Sequence, residues 1–411
     1  MADAHIIINE SINAVLPDAA VRRALDRTRL SGSVTVIAIG KAAWRMARSA
    51  RDALGSRVRS GLIVTKYGHA EGSIPGFEII EAGHPIPDCN SMLGAQKALD
   101  IVDGLTANDT VLLLVSGGGS ALFERPLPGV TLEDAQSLTK QLLSSGADIT
   151  RINVIRKHLS SVKGGRFAKA CAPASVFAVI LSDVLNDPLD AIASGPAVPD
   201  TSTSEDALAI LNYYNITISD NLRQAILRET PKYLDNVHTQ ITGNVEQLCN
   251  AAGRCAERLG YKTMILTTSL DCEAREAGTF AAAIAREIRN ANQPVSPPCA
   301  VIMGGETVVR VRGGGKGGRN QELALSAARG IDGFDDIVIF SVGSDGTDGP
   351  TDAAGGMVNG GFAARCRSEG LSIDAYLNDN DAYHLLRRMD GLIVTGPTGT
   401  NVNDLTVILI K

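Results

Sequence analysis

Short, uninterrupted apolar runs alternate along the chain with longer stretches in which apolar residues recur at helical spacing. In the first half, runs at residues 34–40, 61–65, 77–81, 110–116 and 175–182 predict strands, with helical patterns at 41–54, 90–105, 131–145 and 153–172 between them. The runs VTVIAIG and TVLLLVS show no polar alternation, as expected of strands covered on both faces. Strand and helix in this rhythm predict an α/β protein with a mostly parallel sheet and helical crossovers. A second series gives strands at 262–267, 299–303, 308–312, 336–341, 391–395 and 406–410, and helices at 244–259, 273–290 and 320–329.

Residues 231–244 are polar and weakly patterned, which puts a domain boundary there and predicts domains 1–235 and 236–411. A length of 411 residues exceeds one ordinary core and suits two domains. The net charge of −6 excludes the broad basic face that a nucleic-acid partner requires. No apolar stretch approaches the roughly eighteen residues of a membrane span, and the N-terminus lacks a signal-peptide pattern. The seven cysteines are scattered and form no C-x-x-C pair, so a reducing cytoplasm is the expected location and a disulfide framework is not expected.

The 42 glycines cluster after predicted strands, where open α/β sheets bind their ligands. Gly40-Lys41-Ala42-Ala43 places a lysine at a helix start, and Ser116-Gly117-Gly118-Gly119-Ser120 has the composition of an anion nest. Arg156 and Lys163 fall, with Ser160, on one face of the helix expected over 153–172. His158 is expected to be structural. Asp183 and Asp187 follow the strand at 175–182, where a carboxylate can hold magnesium or take a hydroxyl proton. In the second half, Glu306 precedes a loop bearing Gly313, Gly315, Lys316, Gly318, Arg319 and Asn320. Its G-x-G-x-x-G match lacks the acidic companion of a dinucleotide site, and cations inside the loop fit phosphoryl transfer better. No Walker A sequence occurs, so a P-loop kinase is excluded. Two further oxygen-rich loops, 345–352 and 396–404, follow strands, and the second contains Asn403.

In order and over nearly the whole length, these segments resemble the glycerate 2-kinase family. The carriers are GKAA, SGGGSAL, NVIRKHLSSVKGGRFA, SDVLNDPLDAIASGPAVPD, GGETVVRVRGGGKGGRNQELAL, SDGTDGPTDAAGG and GPTGTNVNDL. The resemblance implies a larger Rossmann-like domain and a smaller α/β C-terminal domain that includes a MOFRL module from about residue 300, with the active site in the cleft between them. It implies ATP as donor, Mg²⁺ or another divalent cation, and phosphorylation of D-glycerate at its 2-hydroxyl. By the same resemblance Lys41, Arg319 and Asp183 are the expected catalytic residues. Ser116 to Ser120, Arg156, Lys163, Glu306, Lys316, Asn320 and Asn403 are expected ligand contacts, and Asp183 and Asp187 expected metal ligands. Asn186 stands where the resemblance leads one to expect glycine. The expected partners are small molecules alone, with no nucleic acid or membrane, in a monomer or homodimer. Relatives of the family have also been labelled hydroxypyruvate reductases, which makes an NAD(P)H-dependent reductase the alternative; a metabolite sensor without activity is a second.

Overall fold

A computed structural model describes residues 1–411. Two units emerge from the packing: Ala20–Thr242, and Gly243–Lys411 together with Met1–Ala19. The break at 242/243 therefore falls inside the polar stretch 231–244, past the expected 235, and the first 19 residues belong with the second unit rather than the first. The helix Ala2–Ala14 explains this, because it buries Ala4, Ile7, Ile8 and Ile12. Tyr261 donates its hydroxyl to Asp3 at 2.6 Å, and Thr400 Oγ1 donates to the Val15 carbonyl at 3.0 Å.

The first unit contains strands β1 (Ser33–Ile39), β2 (Val58–Lys66), β3 (Phe77–Ala82), β4 (Asp109–Val115), β5 (Ser175–Leu181) and β6 (Val237–Gly243). Their order is β3-β2-β1-β4-β5-β6, and β1, β2, β3, β4 and β5 pair in parallel. The central strands β1 and β4 are largely apolar and wholly buried after their first residue, as strands with helices on both faces must be. Strand β6 lies within the stretch read as a boundary. Its sequence VHTQITG is only half-buried at the sheet edge, so it lacks the apolar run that reveals the others.

The second unit holds β7 (Lys262–Leu270), β8 (Cys299–Gly305), β9 (Ile337–Gly343), β10 (Gly355–Asn359), β11 (Leu392–Ile393) and β12 (Asp404–Ile410), in the order β11-β10-β9-β12-β8-β7. Only β7 and β8 pair in parallel; the other neighbours are antiparallel. Helices Ala274–Ala291 and Arg319–Gly330 contribute Ala281, Ala285, Ala324 and Ala328 to the core over this sheet. The strand expected over 308–312 does not form. Val308 makes one bridge to Glu273, while Val308 and Val311 are 55% and 77% exposed, so the alternation VVRVR mimics a half-buried strand with no sheet beside it.

Candidate active site

The strand order of the first unit reverses between β1 and β4, and open sheets bind ligands beyond the carboxyl ends of strands at such a point. The two loops there are those that carry Lys41 and the triple glycine. They are stitched together: the Lys41 amide donates to the Gly117 carbonyl at 2.9 Å and the Ala42 amide to Ser116 Oγ at 3.1 Å. Thr65 at the end of β2 donates its hydroxyl to the Gly40 carbonyl at 3.0 Å. Gly40 has φ 115°, and a Cβ there would lie 2.4 Å from the Ser116 carbonyl oxygen, so only glycine permits the approach. No backbone carbonyl is recorded as accepting from the amides of Gly117, Gly118, Gly119 or Ser120.

Side chains converge on this loop from three directions. A Cβ on Gly118 would lie 3.0 Å from the His84 ring and 3.3 Å from Lys41 Cε, and a Cβ on Gly117 would lie 2.1 Å from Asp183 Oδ2. Ammonium, imidazole and carboxylate thus meet at two glycines. Burial first, then the Lys41, Lys66 and His69 charges, pushes the His84 pKa below its ordinary value and keeps the ring neutral. His84 was not singled out from the sequence; its place two residues past β3 was the available signal.

The acidic segment after β5 is held in unusual backbone. Asn186, Asp187, Ala193 and Ser194 have φ of 63°, 50°, 51° and 57°. Asparagine tolerates the left-handed region, which accounts for Asn186 where glycine was expected. Such conformations persist only where their surroundings enforce them, and they concentrate at functional sites. Ser194 Oγ lies 3.0 Å from Ser120 Oγ and donates to Asn153 Oδ1 at 3.3 Å, which ties this segment to the glycine loop.

The basic stretch near residue 160 divides in two. The helix Ile149–Leu159 stops before Ser160, and a second begins at Arg166 after Gly164 and Gly165, so the helix face expected to hold Arg156, Ser160 and Lys163 together does not exist. Arg156 stays with the site, donating Nη2 to the Ser120 carbonyl at 3.0 Å. Lys163 does not. It is fully buried, 2.7 Å from Glu124 Oε2 and donating to the Phe123 carbonyl at 2.9 Å, and burial draws its pKa down to about 8. Lys157 is likewise buried against Asp200 at 2.8 Å. His158, fully buried with Nδ1 3.2 Å from the Ile226 carbonyl, is structural.

In the second unit Arg319 opens the helix Arg319–Gly330. Its Nε and Nη2 donate to the two oxygens of Asp404 at 2.6 and 3.1 Å, and Nη1 donates to Glu306 at 3.0 Å. Asn403 Nδ2 donates to the other Glu306 oxygen at 3.2 Å, so two of the segments singled out in the sequence, 304–325 and 396–405, meet here. Burial works against the Arg319 charge, but Asp404 and then Glu306 outweigh it and hold the guanidinium above its ordinary pKa. Asn320 donates both its amide and its side chain to Asp348, and Gln321 does the same. Asp348 thus caps the helix from within the chain. Asp348 and Asp404 had been quoted in their loops but not chosen.

The glycine loop before Arg319 is filled by the protein itself. The amides of Arg312 and Gly313 donate to Asn380 Oδ1, those of Gly314 and Gly315 to Asp379, and that of Lys316 to Asp381 Oδ1. Lys316 is exposed, 5.9 Å above the Tyr383 ring. The G-x-G-x-x-G match therefore marks no cradle for a dinucleotide.

The family described as "Domain of unknown function (DUF4147)" matches residues 3–227, and the MOFRL family matches residues 299–404. D-glycerate 2-kinase of Thermotoga maritima is 55% identical over 98% of this chain and 97% of its own length. The crystal structure of a Thermotoga maritima glycerate kinase superposes with a TM-score of 0.98, covering 100% of this chain and 99% of that one at 54% identity. Glycerate 2-kinase of Pyrococcus horikoshii is 43% identical over 98% of this chain and 96% of its own length. The chain belongs to the glycerate 2-kinase family. Within that family frame the donor set at Gly117 can be tested against a divalent cation. No cluster of three or more acidic, histidine or cysteine side chains that could hold a metal is present. The Asp183 carboxylate beside Gly117, with Asp187 in the same segment, fits a hard ion such as Mg²⁺ that takes few protein ligands, keeps its waters and shares ligand phosphates. No helix is long and apolar enough to cross a membrane.

Proposed function

We propose that this member of the glycerate 2-kinase family transfers the terminal phosphoryl group of ATP to the 2-hydroxyl of D-glycerate. The observation that carries the reading is the meeting of Lys41 and Asp183 at the triple-glycine loop, at the switch point between β1 and β4. The activity printed for relatives of 55% and 43% identity supports it. Phosphoryl transfer asks for positioning and charge neutralisation more than covalent help. The Lys41 ammonium and the amides of residues 117–120 neutralise the phosphoryl oxygens, which gain charge in the transition state. Asp183 accepts the hydroxyl proton as the 2-oxygen attacks phosphorus and the bond to the ADP oxygen breaks. With Asp183 as the base, Asp187 would hold a divalent cation such as Mg²⁺, which would supply charge neutralisation to the phosphate chain. Arg319 has three of its five donors committed to Asp404 and Glu306, which leaves two for an anionic ligand. Ser120, Ser194 and Arg156 support the loop, and Asn320 and Asn403 hold the acids around Arg319.

A reductase reading finds no support, because the turn after β1 carries Gly40-Lys41 instead of a dinucleotide fingerprint and the later glycine loop is filled. The test is proton-coupled phosphorus NMR of the product of D-glycerate, ATP and Mg²⁺. Phosphate on the secondary carbon couples to one proton and gives a doublet; a triplet shows transfer to the 3-position. No new phosphorus signal, together with consumption of NADH by hydroxypyruvate, would replace the kinase with the reductase.

A further inference from the structure

Beside the switch point lies a cavity of about 790 Å³, of whose lining only Arg156 was a candidate from the sequence. The helices Leu132–Ser144 and Ile149–Leu159 supply two of its walls, through Ala135, Leu143, Ile149, Ile152 and Leu159, and Pro85, Ile86 and Pro87 close a third. Ile86, Leu143 and Ile149 remain 66%, 61% and 64% exposed. Three large aliphatic side chains left uncovered around one hollow are unusual on a soluble surface and mark a binding face. A three-carbon acid would occupy a small fraction of this space, whereas cavities of about 300–1,000 Å³ take much larger ligands.

The polar end of the cavity says which ligand. Arg156 forms part of the wall and donates one N–H to the Ser120 carbonyl, so the cavity and the glycine loop share a residue. Its other donors have no acceptor in the chain. Glu124, its nearest acid, is already paired with Lys163. On the opposite side, Pro85 follows His84, whose ring lies against Gly118. One continuous surface thus runs from an aliphatic slot, past a guanidinium suited to phosphate, to the amides of Gly118 and Gly119 and to Lys41.

We propose that this cavity holds the base and ribose of the nucleotide donor, with Arg156 on its phosphate chain and the 116–120 loop at the terminal phosphoryl group. The inference rests on the kinase reading and adds to it the place of the nucleotide. Glycerate has no part in the slot, so the two substrates separate experimentally.

Ala135→Trp fills the slot from a partly exposed helix position without touching Lys41, Asp183 or Arg156. Calorimetric titration with a non-hydrolysable ATP analogue and Mg²⁺ reads nucleotide binding apart from turnover. Affinity should fall at least tenfold, the KM for ATP should rise in step, and the KM for D-glycerate should stay within twofold. Leu143→Ala with Ile149→Ala, which empties the slot instead, should weaken the analogue by a smaller factor and serves if the tryptophan variant fails to fold. Unchanged analogue affinity in an active enzyme, or a change confined to the glycerate KM, would overturn the assignment while leaving the kinase intact. Dissociation of an oligomer by Ala135→Trp in sedimentation, with nucleotide affinity unchanged, would show the cavity to be a face between copies of the chain. A wild-type protein that neither binds the analogue nor makes phosphoglycerate would remove the kinase reading itself.

Discussion

Two glycine-rich loops, 116–120 in the first unit and 313–318 in the second, look alike in composition and serve opposite ends. In the first, four consecutive amides have no backbone carbonyl recorded as their acceptor, while lysine, histidine and aspartate side chains gather around them. In the second, Asn380, Asp379 and Asp381 take up the amides from Arg312 to Lys316, and Asp348 takes those of Asn320 and Gln321. The first loop is the one proposed to receive an outside anion; the second has its anions built in and holds Arg319 in place. Glycine content reports that backbone comes close to something. What it comes close to depends on where remote acids fall.

The comparison can be broken most decisively at Lys41. Lys41→Ala should lower kcat/KM on the order of a thousandfold, with a melting temperature within about 2 °C of the parent. Activity within tenfold of wild type would mean that the open loop is not the reacting centre. Lys163→Met makes the contrast within one unit, since it strands the Glu124 carboxylate in the core. Denaturant melts should show about 3–5 kcal/mol lost. A loss of activity at full stability would instead restore Lys163 to the site.

Asp348 probes the second loop by its titration. Burial, opposed by the Gln321 and Asn320 donors, lifts its pKa to about 6 from an ordinary 3.8. A carboxyl raised in the folded state favours folding fully below the unfolded value, and that contribution disappears as pH rises through about 6. The difference in unfolding free energy between wild type and Asp348→Asn should therefore shift by about 2–3 kcal/mol between pH 4 and pH 7, against wild type. A flat difference would mean that Asp348 enters the fold as an ordinary ionised cap. The smallest effect is expected from Asn380→Gly, which keeps the left-handed backbone at φ 54° but deletes the acceptor for two amides. It should cost about 2 kcal/mol and alter kcat by less than roughly threefold. A collapse of kcat at intact stability would show the filled loop to be reactive after all.

Reading the fold from sequence worked where burial is two-sided. Strands β1, β4, β5 and β12 carry mostly apolar runs that could be seen as such, whereas the half-buried β6 and the glycine-rich β10 carry no such run. The false strand at 308–312 and the false continuous helix over 153–172 have one cause. Local pattern resembled an element, and the partner that would cover it, or the glycines at 164 and 165 that interrupt it, decided otherwise. At the site, Lys41, Asp183, Arg156 and Arg319 were visible as charged residues at strand or helix ends. His84, Asp348 and Asp404 were not distinguished, because each gains its meaning from a residue dozens of positions away.

The sequence by itself determined the kind of fold, the motifs in their order and the family to which they belong, because burial pattern and turn chemistry are local properties of the chain. Only the tertiary structure decided which cations face a ligand and which are sealed in ion pairs, and which glycine loop is open. Those outcomes depend on acceptors supplied from distant segments, and a hydrogen-bond donor has no sequence mark that says who will accept from it.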